Sequence, residues 1–165
     1  MPYEFNEEVM THTIQDDGGI YVVRLPNYPE GYDLPHPATD HSAGMDVRAG
    51  IEEPCPIPPS SRRLIPTGLK MQLPKSTYMV VCPRSGLAYK HGVTVLNSPG
   101  LIDSDYRGEV SVLLFNSSQE TYTVEPAERI AQLVLHPVVR PTMKEVDMLD
   151  DTHRGEGGFG HTGRV

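Results

Sequence analysis

The chain has 165 residues, of which 38% are hydrophobic, with 16 prolines, 15 glycines and a net charge of −8 at pH 7. This length predicts one domain with a hydrophobic core, and the negative charge argues against a general nucleic-acid or membrane binder. Two cysteines are too few for a disulfide scaffold or a zinc site, and the acidic N-terminus has no hydrophobic signal region. We therefore expect a cytoplasmic protein.

Runs of apolar and β-branched residues predict about ten short strands and an all-β sandwich or jelly roll. We expect residues 1–18 to form a polar arm, 19–148 a β domain and 149–165 a flexible, glycine-rich arm. Residues 26–42 hold four prolines and predict a surface loop, and residues 52–61 predict a second extended connection. The predicted strands are 20–25, 43–49, 63–73, 77–82, 93–96, 110–115, 121–124, 129–135 and 137–139.

Two breaks in the strand pattern predict local features. The Pro66–Gly68 interruption indicates a bulge or a bend in the strand that contains it. Residues 83–90 are the one plausible helix, and the following His91-Gly92 predicts where it ends. Because no longer helical periodicity is present, a doubly wound α/β fold is not expected.

The stretch Val95–Val110 contains the first candidate for chemistry. The Pro99-Gly100 pair predicts a tight turn, after which two apolar residues lead the chain back and place Asp103 at the edge of apolar surroundings. The pKa of such a carboxyl can be raised by desolvation or held low by Arg107, so Asp103 is a candidate base. The alternative is a polar hairpin end built from ordinary turn residues.

The tail gives a second candidate. Residues 155–162 nearly match the P-loop formula, with His161 in place of lysine. A P-loop must open a helix after a strand, and too few residues remain for one. Glycine N–H groups can nevertheless wrap phosphate oxygens, Arg154 and Thr162 add charge and a donor, and Phe159 can stack on a base. The alternative is a disordered glycine-rich terminus.

Five further polar residues have two interpretations each. Backbone N–H groups before the predicted helix, with Arg84 and Ser85, can form an anion site, or Ser85 simply caps the helix and Arg84 is solvated. The seven histidines show no metal-ligand spacing, so no protein-built metal cage is predicted. Three strand residues either belong to a polar network that reaches phosphate or simply face solvent: Asp46, Arg129 and Gln132.

Five segments taken together resemble the five motifs of the trimeric deoxyuridine triphosphatase (dUTPase) family. The resemblance spans residues 20–165 and leaves only the N-terminal arm outside. The segments occur in this order: Ala43-Gly-Met-Asp-Val-Arg, Pro83-Arg-Ser-Gly-Leu-Ala, Asn97 to Glu109, Arg129-Ile-Ala-Gln and Arg154 to Gly163.

The resemblance implies a jelly-roll-like β-barrel of the dUTPase β-clip type, assembled as a homotrimer with active sites at subunit contacts. It implies a dUTP diphosphatase that converts dUTP and water to dUMP and pyrophosphate, which limits uracil incorporation into DNA and supplies dUMP for thymidylate synthesis. The C-terminal arm would close over the nucleotide on a neighbouring subunit. Mg²⁺ would bind through the triphosphate and not through protein side chains.

The resemblance also assigns roles to residues. Asp103 matches the general base that activates water for attack on the α-phosphorus, Tyr106 packs under the deoxyribose where it leaves no room for a 2′-hydroxyl, and Phe159 stacks on uracil. The uracil pocket, which excludes a 5-methyl group by size, involves Asn97, Gly100 and Ile102. The phosphate contacts are Arg84, Ser85, Gly86, Gln132, Arg154, Gly160, His161 and Thr162, supported by Asp46 and Arg129.

Two rival functions use the same scaffold. A dCTP deaminase, or its bifunctional form with dUTPase activity, shares the fold but usually uses a glutamate as its base. A nucleotide-sensing regulatory protein, with residues 1–18 in an added role, is the second rival. The Asp103 and Tyr106 pair and the complete glycine arm favour the dUTPase.

Overall fold

The structure is a computed structural model that describes residues 17–158. Within this range the chain forms ten β-strands and one short helix. The strands are β1 Tyr21–Arg24, β2 Met45–Arg48, β3 Cys55–Ile57, β4 Arg62–Gln72, β5 Thr77–Cys82, β6 Val93–Val95, β7 Gly100–Asp103, β8 Glu109–Asn116, β9 Tyr122–Val124 and β10 Arg129–Pro137, and the helix is α1 Ser85–His91.

All strand pairs are antiparallel and belong to three sheets. The first sheet has the order β1-β4-β8-β6, the second has the order β2-β10-β5-β7, and β3 pairs with β9 alone. This arrangement agrees with the predicted all-β, jelly-roll-like class. The described sheets are not closed into a barrel, because β1 and β6 leave the first sheet with open edges and β2 and β7 do the same for the second.

Alternating side chains of the two larger sheets form one hydrophobic core. In β8, Val110, Val112 and Leu114 are buried, while the side chains between them point to the opposite face. In β2, Val47 is fully buried, and the polar side chains on either side of it are half-buried. Alternation with a period of two is what a sheet with one buried face requires.

Several local predictions can be compared with the strands. β5 has the predicted bounds, and the predicted bulge is confirmed by a register shift between Pro66 and Lys70, with Gly68 at φ +71°. The prediction that residues 52–61 form only a connection is wrong, because they contain β3. Pro56 lacks an N–H and disfavours a strand in the sequence pattern, but a three-residue strand with a single partner needs few donors.

The helix begins at Ser85, two residues after Pro83, where the sequence predicted its start. Arg84 is the N-cap and makes no side-chain capping bond, so the alternative in which Ser85 caps the helix is wrong. The predicted end is confirmed: Gly92 adopts the left-handed conformation at φ 65°, and its N–H donates to the carbonyl of Ala88. Among the described residues, no helix has the length and apolar character needed to cross a membrane.

The turn before β10 is held by a carboxylate. Glu128 Oε1 accepts a hydrogen bond from the Tyr122 hydroxyl, and its Oε2 accepts one from the N–H of Glu125 at 3.0 Å. Burial, followed by this donation to Glu128, raises the pKa of Tyr122 well above its ordinary value. The folded state therefore holds the phenol proton more tightly than the unfolded state does.

We expect Tyr122→Phe to reduce the loss of stability in alkali. An unfolded tyrosine ionises above its ordinary pKa of 10.0, while folded Tyr122 stays protonated. The stability that this difference in pKa contributes is therefore complete below pH 10.0 and is lost as the pH rises above it. The measurement is urea unfolding at about pH 8 and about pH 11. Tyr89→Phe is the matched control, since Tyr89 is 92% exposed, and an equal alkaline loss in wild type and Tyr122→Phe would contradict the expectation.

Candidate functional site

The second sheet places the candidate residues at its two ends. Gln132 on β10 lies opposite both Cys82 on β5 and Asp46 on β2, whereas Asp103 on β7 lies opposite Tyr78 on β5. Directly opposed residues of antiparallel strands share a face. Tyr78 and Cys82 are four residues apart, so Asp103 is separated from Gln132 by about 13 Å along the strand direction.

One end of the sheet carries a cluster of charges that we call the arginine cluster: Asp46, Arg84 and Arg129. Arg84 Nε donates to Asp46 Oδ1 at 3.0 Å, and Arg129 Nη1 donates to Asp46 Oδ2 at 3.1 Å. Arg84 Nη1 also donates to the carbonyl of Arg129 at 3.1 Å. Two guanidinium groups and one carboxylate leave a net charge of +1, and each guanidinium has five donors, so the cluster can bind an anion.

Gln132 is fixed beside this cluster by its backbone neighbours. Its Nε2 donates to the carbonyl of Pro83 at 2.9 Å. Its amide oxygen lies so close to Gly44 that a side chain at position 44 would collide with it. Gly44 is a residue that sequence reasoning did not single out, although it lies within the first of the five segments.

The loop at residues 26–42 covers the arginine cluster from one side. A cavity of about 620 Å³ lies between this loop and the strands, and its wall includes Asp46, Arg129 and Gln132. Arg48 crosses from β2 to the loop, with its guanidinium 4.1 Å from the ring centroid of Tyr32. The proline-rich loop is therefore part of the site's wall.

Asp103 lies at the other end of the sheet and lines a second cavity, which we call the hairpin cavity. It has a volume of about 320 Å³, at the lower limit for a small-molecule pocket. In β7, Gly100 and Ile102 are buried while Leu101 and Asp103 are exposed. The lining residues are Leu64, Leu101, Ile102, Asp103, Tyr106, Glu109, Val110 and Ser111.

The turn after Asp103 is held by backbone acceptors. Arg107 Nη1 donates to the carbonyls of Ser104 at 2.8 Å and Tyr106 at 2.9 Å, and in the described part of the chain no salt bridge joins Arg107 to Asp103. The Arg107 guanidinium instead stabilises the turn that presents Tyr106.

The base-pocket residues lie at the start of the same hairpin. Asn97 is exposed, whereas Gly100 is buried. A Cβ at position 100 would lie 3.2 Å from the Cβ of Val81 and 3.3 Å from Asn97 Nδ2. The hairpin therefore packs tightly on β5 between Asp103 and the arginine cluster.

Glu109 connects the hairpin to the covering loop, a role that the sequence did not reveal. Its Oε1 accepts hydrogen bonds from Asn27 Nδ2 at 2.9 Å and from the N–H of Gly68 at 2.8 Å. Asn27 Nδ2 also donates to the carbonyl of Gly50 at 3.0 Å. One carboxylate thus ties the end of the hairpin to the β4 bulge and to the start of the loop.

The remaining predicted residues are distributed as follows. Ser85 and Gly86 are exposed at the start of α1, and a side chain at Gly86 would meet open space. Arg154 Nε donates to the carbonyl of Gly157 at 2.8 Å. The structure brings Arg84, Arg129, Asp46 and Gln132 together, but it does not bring Asp103 to them. Four predicted residues lie outside the described range: Phe159, Gly160, His161 and Thr162.

A family model identifies the chain. The dUTPase model matches residues 30–163. A deoxyuridine 5'-triphosphate nucleotidohydrolase of Fusobacterium nucleatum is 54% identical over 135 residues, covering 82% of this chain and 92% of the relative. One of Chlamydia pneumoniae is 55% identical over 134 residues, covering 81% and 92%. The chain belongs to the dUTPase family. The predicted family and enzyme class, dUTP diphosphatase, are confirmed.

Solved dUTPase structures share the fold. A dUTPase of Staphylococcus bacteriophage 80alpha with dUpNHpp superposes with a TM-score of 0.78 at 24% identity, covering 88% of this chain and 98% of that chain. A dUTPase from phage phi11 of S. aureus, whose structure reveals the coordination of a structural Mg(II) ion, has a TM-score of 0.71 at 20% identity, covering 81% and 99%. At this identity the likeness concerns the fold alone.

We expect Glu109→Ala to lower the free energy of unfolding by about 1–3 kcal/mol, because two donors lose their acceptor. Glu109→Gln is the matched control, since it retains an amide oxygen at the same length, and it should cost less. Urea unfolding at neutral pH measures both variants. Equal losses in the two variants would show that the carboxylate charge, and not its acceptor geometry, holds the loop.

Proposed function

We propose that this chain hydrolyses dUTP to dUMP and pyrophosphate. The observation that carries the proposal is the match of the dUTPase model to residues 30–163, together with relatives of this name that are about 54% identical. The arginine cluster and the hairpin cavity supply what such a reaction needs, a cationic site for the triphosphate and a pocket beside a carboxylate. The cytoplasmic location stays a prediction from the sequence.

Asp103 is the proposed general base. Its exposed carboxylate lines the hairpin cavity, where it can accept a proton from a water molecule. The water oxygen bonds to the α-phosphorus, the bond from that phosphorus to the bridging oxygen breaks, and pyrophosphate leaves. The water proton passes to the Asp103 carboxylate.

The hairpin cavity is the proposed nucleoside pocket. Ile102 lines this cavity, and Asn97 and Gly100, which precede it in the same hairpin, would complete the surroundings of uracil. The Tyr106 ring, 46% exposed in the cavity wall, would pack under the deoxyribose. A rigid wall at this point has no space for a 2′-hydroxyl, so the pocket favours the deoxynucleotide. Phe159 from the C-terminal arm would stack on the base.

The arginine cluster is the proposed phosphate site. Asp46 is the supporting residue that fixes the two guanidinium groups, so their remaining donors are oriented before the triphosphate arrives. Preoriented donors stabilise developing negative charge better than mobile ones. The other proposed phosphate contacts are Ser85, Gly86, Gln132, Arg154, Gly160, His161 and Thr162.

Mg²⁺ is the proposed cofactor, held through the substrate. Within residues 17–158, no three His, Cys, Asp or Glu side chains come together to form a metal site. Mg²⁺ commonly keeps several of its waters and binds mainly to the phosphate oxygens of its substrate. Asp33 and Asp46 are carboxylates in the wall of the 620 Å³ cavity, where they can contact the water shell of the ion. When bound, the ion would neutralise charge on the triphosphate.

The proposed assembly is a homotrimer with shared sites. Asp103 and the arginine cluster lie at opposite ends of one sheet, and in a homotrimer with shared sites Asp103 of one copy would meet the arginine cluster of another. Apolar side chains on the outer face of the first sheet support a contact between copies: Leu64 is 64% exposed, and Leu113 and Phe115 are half-buried beside it.

The segment after β10 supports the proposal that the C-terminal arm reaches a neighbouring subunit. Its apolar side chains are exposed on their own chain, and an apolar extended segment gains stability by packing on a partner. The exposed residues are Val139, Met143, Val146, Met148 and Leu149, all at 60% exposure or more.

The decisive experiment is to incubate the protein and Mg²⁺ with dUTP, dCTP, dTTP and UTP and to identify the products. We expect dUMP and pyrophosphate from dUTP alone. Ammonia from dCTP would support a deaminase, and turnover of UTP at a similar rate would exclude a selective dUTPase.

Asp103→Asn should lower kcat for dUTP at least about 100-fold, because the general base is lost. Binding of a non-hydrolysable dUTP analogue, measured by calorimetry, should change little. Glu53→Gln is the control, because it removes one exposed carboxylate away from both cavities. Comparable turnover by Asp103→Asn and wild type would eliminate Asp103 as the base.

Chains carrying Asp103→Asn and Arg84→Ala, coexpressed with different tags, should complement each other. If each site takes Asp103 from one copy and Arg84 from the next, any mixed trimer has one intact site in three and about one third of the wild-type activity. A mixture of Asp103→Asn with the double variant is the control and should stay inactive. Purified mixed trimers without activity would argue against shared sites.

A further inference from the structure

We propose that Gly108 is a positioning residue that determines sugar selectivity, because its missing side chain is what allows the Tyr106 ring to form the cavity wall. The inference rests on the proposed function. The position of the Tyr106 ring depends on Gly108 and is not explained by the identity of Tyr106 alone.

The ring occupies the space of a side chain at position 108. A Cβ built on Gly108 would lie 2.5 Å from Tyr106 Cζ and 3.0 Å from Cε2, and it would also collide with the hydroxyl oxygen. Real Cβ atoms essentially never approach other atoms closer than 3.0 Å. Any residue other than glycine therefore displaces the ring.

The backbone around the ring cannot easily move in its place. The N–H of Tyr106 donates to the carbonyl of Asp103 at 3.1 Å, and the carbonyl of Tyr106 accepts from Arg107 at 2.9 Å. The Tyr106 hydroxyl donates to the carbonyl of Glu109 at 3.2 Å. The ring is thus held at both ends, and a Cβ at position 108 would force it to rotate and to break the bond to Glu109.

Position 108 has no other need for glycine. Its φ lies outside the left-handed range, so the backbone conformation suits any L residue. The contact with Tyr106 is therefore the reason for glycine here, and substitution by alanine tests that contact with little backbone strain.

The test compares kcat/KM for dUTP and for UTP in four proteins: wild type, Gly108→Ala, Tyr106→Ala and the double variant. We expect the dUTP to UTP ratio to fall about tenfold or more in Gly108→Ala, because the wall that excludes the 2′-hydroxyl is displaced. The double variant should match Tyr106→Ala within about twofold, because Gly108 acts through the ring and the two effects are not additive.

The outcomes separate the two proposals. Wild type that does not hydrolyse dUTP would overturn the proposed function. Active wild type with an unchanged ratio in Gly108→Ala, or additive losses in the double variant, would overturn the role of Gly108. If Gly108→Ala is too unstable to assay, the double variant should recover the Tm of Tyr106→Ala, because removing the ring makes room for the Cβ. A double variant as unstable as Gly108→Ala would also overturn the inference.

Discussion

The pairing of β5 with a strand on each side is the constraint on which the site depends. β10 and β7 both hydrogen-bond to β5, and their registers fix which side chains share its outer face. Gln132 is thereby set beside Cys82, and Asp103 beside Tyr78. A slip of one residue in either pairing would turn these polar side chains into the core and turn Leu133 or Ile102 outward. Burial of those apolar residues therefore also holds the chemistry in place.

Charge is arranged locally and not over the whole molecule. The protein carries a net charge of −8, yet Asp46 holds Arg84 and Arg129 in a cluster of net positive charge. Half-exposed ion pairs of this kind contribute little to stability. Their value lies in orientation, because guanidinium groups that are already fixed lose less entropy when they bind phosphates.

The loop and the hairpin are joined by hydrogen bonds to the Glu109 carboxylate. Glu109 accepts from Asn27 and from Gly68, and Arg107 donates to two carbonyls of the turn after Asp103. The bonds to Glu109 link segments that lie far apart in the chain, 82 residues in the case of Asn27 and 41 in the case of Gly68. They explain why a loop with four prolines can form a stable wall without regular secondary structure.

The sequence by itself determined the all-β class, most strand positions and the family, because alternation and motif order are local properties of the chain. It also named the charged residues of the arginine cluster. It could not reveal β3, whose proline hides the strand, or the separation of Asp103 from Arg84, which depends on strand register. The roles of Glu109, Gly44 and Gly108 were equally hidden, because each depends on an atom brought close by folding. Only the tertiary structure decides such contacts, since they join residues whose proximity no local pattern encodes.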